Sequence, residues 1–182
     1  MKKAMFFDLQ GTLGGEFLGD IRDFDFYPFA MEALKLAKSN GYLVFILTNQ
    51  SRIAKGYFTL EIYKEHELRL LDLMKSNGVD VDGFYFCPHD KGQCMCKKPK
   101  DGMVKMAMEN HEIDLARSYV VGDLGLSDMS LSKRIGSKIL LVLTGGGKSS
   151  LSEFKYLWPD VNPTMIAENV LVGVKRILGE EI

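Results

Sequence analysis

Four short stretches carry the chemistry of this chain, three of them placed where an apolar run stops. Phe6-Phe7 ends in Asp8, and the turn-forming Leu9-Gln10-Gly11-Thr12 follows at once. Thr48-Asn49 closes the run that begins at Tyr42, and Gly122-Asp123 closes Tyr119-Val120-Val121, with Asp128 a turn later. Lys98 stands in the stretch Cys96-Lys97-Lys98-Pro99. A carboxylate presented at the carboxyl end of a buried strand can act as a nucleophile that takes a phosphoryl group as an aspartyl phosphate. Such a group needs hydroxyl and backbone donors, a cation to offset its charge and usually a divalent metal. Thr48 offers the donor, Lys98 the charge, and Asp8 with Asp123 the carboxylates for Mg²⁺, a hard cation that prefers oxygen. Each piece alone is ordinary, since a strand-end aspartate is commonly a turn former or a helix cap. Their joint occurrence at successive strand ends points to phosphoryl transfer.

A second constellation lies between them. All three cysteines fall within ten residues, and Cys87, His89, Cys94 and Cys96 offer three thiolates and an imidazole. That is the complement of a closed tetrahedral zinc site, with no corner left for water, so its expected role is structural. The loop, at about 87–98, runs straight into Lys97-Lys98, so an ordered loop would fix the lysine that meets the phosphate. The competing reading is a mere cluster of free thiols.

The elements that must position these groups alternate along the chain. Strands are expected near 3–8, 42–48, 83–87, 118–122, 138–143 and 164–167, and helices near 29–39, 59–76, 101–110, 127–135, 149–156 and 168–178. Pro28 suits a first helical turn, Thr59 and Asp101 suit N-caps, and Asn40-Gly41 and Asn77-Gly78 suit helix stops. The runs at 42–48 and 138–143 are almost continuously apolar, as strands covered on both faces are. An α/β three-layer sandwich with a mostly parallel central sheet follows. No linker or repeat divides the 182 residues, which are read as one domain, 1–182. Fifteen residues, 13–27, separate the first motif from the first helix, too few for a lid domain, so the site is expected to be open.

A net charge of −1 gives no footprint for nucleic acid or anionic membrane. No apolar run approaches membrane-spanning length, and Met1-Lys2-Lys3 leads into a strand rather than a signal peptide. A cytoplasmic monomer acting on a small phosphorylated metabolite is the expectation. Thr144-Gly145-Gly146-Gly147-Lys148-Ser149 suggests a P-loop but has Val142 where the first glycine belongs, so it is read as a flexible strand-to-helix turn.

The stretch Asp8 to Thr12 resembles motif one of the haloacid dehalogenase superfamily, whose phosphatases read Asp-x-Asp-Gly-Thr. Residues 48–58 (TNQSRIAKGYF) resemble the TNQSGIARGYF segment of its heptose bisphosphate and histidinol-phosphate phosphatases, and residues 94–103 (CMCKKPKDGM) their CxCRKPxPGM segment. The likeness runs from about residue 3 to 145. It implies an uncapped Mg²⁺-dependent phosphatase with Asp8 as nucleophile. Asp8, the main-chain carbonyl of Gln10 and Asp123 would be the metal ligands, and Asp128 would support that site or Lys98. Thr48, Asn49 and Lys98 would bind the transferring group, with Arg52 and Lys97 facing substrate. A sugar phosphate such as D-glycero-D-manno-heptose 1,7-bisphosphate is the expected substrate, with histidinol phosphate as the alternative.

Three departures matter. Gln10 replaces the aspartate that serves as general acid and base, Arg52 stands where glycine is usual, and Lys97 where an arginine grips phosphate. Lysine cannot form arginine's bidentate fork. Losing a general acid-base residue slows turnover by about 10²–10⁴-fold. A catalytically weakened protein that binds a phosphorylated ligand or partner is therefore the second reading.

Overall fold

The computed structural model describes residues 1–179; the last three residues of the span expected as one domain lie outside the described residues. Six parallel strands, β1 (Ala4–Phe7), β2 (Leu43–Asn49), β3 (Gly83–Cys87), β4 (Tyr119–Gly122), β5 (Lys138–Val142) and β6 (Met165–Ala167), form one sheet in the order β3-β2-β1-β4-β5-β6. Six α-helices flank it: α1 (Ala30–Ser39), α2 (Leu60–Ser76), α3 (Gly102–Asn110), α4 (Ser130–Ile135), α5 (Gly147–Leu151) and α6 (Val170–Leu178). The α/β sandwich expected from the apolar runs is what forms.

Alternation along the strands builds the two cores. Met5 and Phe7 of β1 and Val44 and Ile46 of β2 pack with residues of α1, α2 and α6 on one face. Ala4, Phe6, Phe45 and Leu47 pack with Met103, Val104 and Ala107 of α3 on the other. The strand order changes direction between β1, which pairs with β2, and β4. Ligands of open α/β sheets bind at the carboxyl ends of strands beside such a switch. Asp8 and Asp123 follow the two strands that flank it.

Several boundaries have the expected causes. Thr59 accepts the Ile62 N–H at the start of α2, and Gly41 and Gly78 take positive φ just past α1 and α2. Asp101 is different. It stands at the start of α3 without a side-chain cap bond, because its carboxylate pairs with Lys105 one turn on, at 3.0 Å. The helix expected over 149–156 is also corrected. α5 ends at Leu151 and a single 3₁₀ turn covers Lys155–Leu157, so that buried Trp158 can donate back to the Ser150 carbonyl at 3.0 Å. A π-helical turn, Gly125–Met129, precedes α4 and carries Asp128. Such turns recur at functional sites.

Candidate active site

The loops after β1, β2, β3 and β4 meet at the carboxyl edge of the sheet. Asp8 leaves β1 with its N–H still bonded to the Val121 carbonyl of β4, at 2.8 Å. Lys98 arrives from the loop after β3, and its Nζ donates to Asp8 Oδ1 at 2.6 Å and to Asp128 Oδ1 at 2.7 Å. All three side chains are buried. Asp128 is aimed by the π-helical turn, its Oδ2 accepting the Leu124 N–H at 3.1 Å. Asp123 is held from two sides: Thr12 Oγ1 donates to Oδ1 at 3.1 Å, and the Gly146 N–H donates to Oδ2 at 2.7 Å. Gly11 has φ +87°, and a Cβ there would strike the Asp123 carboxylate, so only glycine permits this approach.

Asp8, Asp123 and Asp128 each place an oxygen within 4.8 Å of the others. Three buried carboxylates face the single ammonium of Lys98, a surplus of two negative charges when all are ionised. Burial and the charge of Asp128 push Asp8 up to about 6 despite Lys98, and burial with Asp8 and Asp128 pushes Asp123 well above its ordinary value. Burial disfavours the ammonium of Lys98, yet Asp128 and Asp8 outweigh it and hold Lys98 above its ordinary value. A compact all-oxygen donor set with that surplus fits a hard divalent cation.

Two spaces with shared lining residues lie at this edge. A cavity of about 50 Å³ is bounded by Asp8, Thr48, Asn49, Lys98 and Ser127. A larger one of about 280 Å³ extends outward past Gln10, Arg52, Lys55 and Tyr57. Gln10, Phe17 and Asn49 border both.

Of the residues singled out in the sequence, Asp8, Gln10, Thr48, Asn49, Lys98, Asp123 and Asp128 come together, and Arg52 lines the outer space. Lys97 borders neither space and turns its Nζ toward Asp90, at 3.8 Å. Asn49 lines the inner space and also holds the lysine. Its side-chain oxygen accepts the Lys98 N–H at 2.9 Å and its amide donates to the Lys98 carbonyl at 3.2 Å, so it brackets the backbone of the lysine. Sequence reasoning missed Gln50, whose buried amide donates to Gln10 Oε1 and Thr48 Oγ1, both at 2.9 Å. A polar residue directly after a strand-end Thr-Asn was the available signal. The turn at 144–149, expected to be a flexible connection, holds Asp123 through its Gly146 amide.

The four donors of the Cys/His loop lie within 4.8 Å of one another. Cys87 Sγ is 3.7 Å from His89 Nδ1, 3.4 Å from Cys94 Sγ and 3.1 Å from Cys96 Sγ, and His89 Nδ1 is 3.4 Å from Cys96 Sγ. A tetrahedron with Zn–S bonds near 2.3 Å has edges of roughly 3.8 Å, so the four donors are gathered at close to that size. The group suits zinc. Burial pushes the Cys87 thiol up; burial also opposes ionisation of Cys94, but the Lys97 N–H and the neighbouring sulfurs bring it down to about 6. Zinc would hold all three as thiolates.

A carboxylate at each side of a parallel-sheet switch point, a shared buried lysine and a strand-end threonine define a phosphoryl-transfer site on a Rossmann-like sheet. Known proteins agree. The HAD-hydrolase-like family model matches residues 95–172. The D-glycero-beta-D-manno-heptose-1,7-bisphosphate 7-phosphatase of Pasteurella multocida is 41% identical over 161 residues, covering 80% of this chain and 84% of its own. That of Haemophilus ducreyi is 39% identical over 165 residues, covering 85% and 90%. The crystal structure of D,D-heptose 1,7-bisphosphate phosphatase from B. bronchiseptica, complexed with magnesium and phosphate, superposes with a TM-score of 0.85 over 98% of this chain and 99% of that one, at 24% identity. The chain belongs to the heptose bisphosphate phosphatase family of the haloacid dehalogenase superfamily and is a phosphoric monoester hydrolase.

Proposed function

We propose that the chain removes one phosphoryl group from D-glycero-D-manno-heptose 1,7-bisphosphate through an aspartyl phosphate on Asp8. The observation that carries this is the buried Asp8–Lys98–Asp128 cluster beside Asp123 and Thr48 at the switch point. The curated names of the relatives supply the substrate. Asp8 attacks phosphorus, forming the acyl phosphate as the bond to the sugar oxygen breaks. Lys98 and the Thr48 hydroxyl stabilise the equatorial oxygens as charge spreads over them. Water then cleaves the acyl phosphate and releases inorganic phosphate. Asp8, Asp123 and the Gln10 main-chain carbonyl would hold Mg²⁺, which when bound offsets charge on the phosphoryl group.

Gln10 has no acidic proton to give, so the leaving oxygen is protonated by solvent entering from the outer space. Turnover is therefore slower than a carboxylic acid there would allow, by about 10²–10⁴-fold. The proposal includes a one-domain, monomeric, cytoplasmic enzyme with magnesium in catalysis and zinc in structure.

Phosphate release with Mg²⁺ from the heptose bisphosphate, histidinol phosphate and a set of sugar monophosphates tests the reading. The heptose bisphosphate should give the highest kcat/KM, and Asp8→Asn should abolish release while leaving the fold intact. Turnover retained in Asp8→Asn would place the nucleophile elsewhere. Binding of the bisphosphate without phosphate release would select the weakened protein instead.

A further inference from the structure

Two side chains from opposite walls of the site converge on one stretch of its rim. Gln10, just after β1, donates Nε2 to the Gly19 carbonyl at 2.8 Å. Arg52, in the turn after β2, donates a terminal guanidinium nitrogen to the Leu18 carbonyl at 2.6 Å. Both donors are themselves steadied. Gln10 Oε1 accepts from Gln50, and the Arg52 guanidinium lies over the Tyr57 ring, 4.8 Å from its centre.

The rim has little else to hold it. Among the described residues, the remaining hydrogen bonds of 16–20 are local: the Gly19 N–H donates to the Glu16 carbonyl, the Asp23 N–H to the Asp20 carbonyl and Arg22 to the Asp20 carboxylate, and Leu18 is 69% exposed. Phe17 adds packing beside Gly11 and Gly146. The stretch Phe17–Gly19 forms one wall of the 280 Å³ space, across from Lys55. That space shares Gln10, Phe17 and Asn49 with the smaller one that Asp8 borders, so the alcohol portion of a substrate held at Asp8 can extend into it.

We propose that Gln10 and Arg52 form a two-point latch that fixes Phe17–Gly19 as the leaving-group wall of the site, making both of them positioning residues for the part of the substrate that is not transferred. The chemistry is particular to these side chains. An aspartate at 10 has no N–H to give and would set a carboxylate against the Gly19 carbonyl; a glycine at 52 has no donor at all. These are two of the positions at which the chain departs from the motifs it resembles. A substrate with a bulky alcohol portion depends on the wall, and one whose leaving group is small does not reach it.

The consequence for substrate choice rests on the phosphatase reading, and the latch itself does not, so two measurements are needed. Hydrogen exchange of the amides at 16–20 would be followed in the wild type, Arg52→Gly, Gln10→Met, the double variant and Arg52→Lys. Exchange should quicken about tenfold in either single variant, by less than the product in the double variant because one wall is released only once, and return most of the way in Arg52→Lys, which keeps a donor. The ratio of kcat/KM for a sugar bisphosphate to that for acetyl phosphate should fall about tenfold in Arg52→Gly and recover in Arg52→Lys. A ratio that falls while rim exchange stays unchanged would show that Arg52 touches substrate directly and would overturn the latch. Unchanged exchange in both single variants would overturn it as well. An inactive wild type would end the phosphatase reading alone, with the exchange data still deciding the latch.

Discussion

Replacing Lys98 by methionine should cost the protein stability in a strongly pH-dependent way. The ammonium sits between Asp8 at 2.6 Å and Asp128 at 2.7 Å, with 3% of its side chain exposed. Methionine fills similar volume but leaves two buried carboxylates without a cation, next to the buried Asp123. Removing one partner of a buried ion pair costs about 3–5 kcal/mol, far more than the pair's net worth, because the orphaned charge stays desolvated. The sign with pH follows from Asp8. Its folded value is already raised from 3.8 to about 6, so it favours the folded state at low pH and ceases to as pH rises through 6. Without Lys98 the lowering influence is gone and that value climbs further. The loss relative to wild type should therefore be largest at alkaline pH and shrink as pH falls toward about 6, across the window in which Asp8 is protonated in the variant and still ionised in the wild type. Urea unfolding followed by circular dichroism, without added Mg²⁺, gives both arms. Adding Asp128→Asn to the variant should recover part of the loss. A loss under about 1 kcal/mol, the size typical of an exposed pair, would refute the burial argument. So would a loss that is the same at acid and alkaline pH.

Three further outcomes are expected. Metal analysis of protein prepared without chelator should find one zinc per chain, and Cys96→Ser should lose it and bind phosphate more weakly through a displaced Lys98, since structural zinc contributes on the order of 10 kcal/mol; zinc-free wild type would remove the claim. Apparent Mg²⁺ affinity by calorimetry should fall by up to about tenfold per pH unit below about 6, because a proton on Asp8 competes with the cation; a flat profile from about pH 5 to 7.5 would count against Asp8 as a ligand. Gln10→Asp should raise kcat more for alkyl than for aryl phosphates, whose leaving groups need little protonation, and should raise KM as the Gly19 bond is lost; equal kcat on an alkyl phosphate would show that another group or step supplies the proton.

Much of this was legible in the sequence because it is written in period and punctuation. Six apolar runs became six strands, and the four chemical stretches met at one edge because a parallel sheet sends every strand's carboxyl end the same way. The zinc donors were legible from residue type and spacing alone. What was hidden was the side chains that hold other side chains. Nothing in Thr48-Asn49-Gln50 says that Asn49 brackets Lys98 or that Gln50 joins Gln10 to Thr48, because each partner is about forty or more residues away, or two residues back along a strand end. Nor does a glycine-rich turn announce that its Gly146 amide is needed by Asp123, 23 residues earlier. Trp158 likewise shortened a helix for a tertiary reason, the burial of its ring, that local propensity does not contain.

Two of the departures from the resembled motifs, Gln10 and Arg52, border the outer space, and that has a physical cause. In the proposed reaction Asp8, Thr48, Lys98, Asp123 and Asp128 would serve the phosphoryl group, whose shape and charge are the same whatever alcohol it leaves, so the chemistry would constrain these positions tightly. Gln10 and Arg52 border the outer space, and Lys97 stands apart beside Asp90. On that side the requirement is to match one particular alcohol, and discrimination between alcohols comes from contacts made to the leaving portion in the transition state. A chain can therefore change its outer wall and still keep the reaction. It cannot change position 10 so freely, because that side chain belongs to both sides. The same amide that donates to the rim stands where a carboxylic acid would supply the proton, so holding the wall and protonating the leaving group compete for one residue.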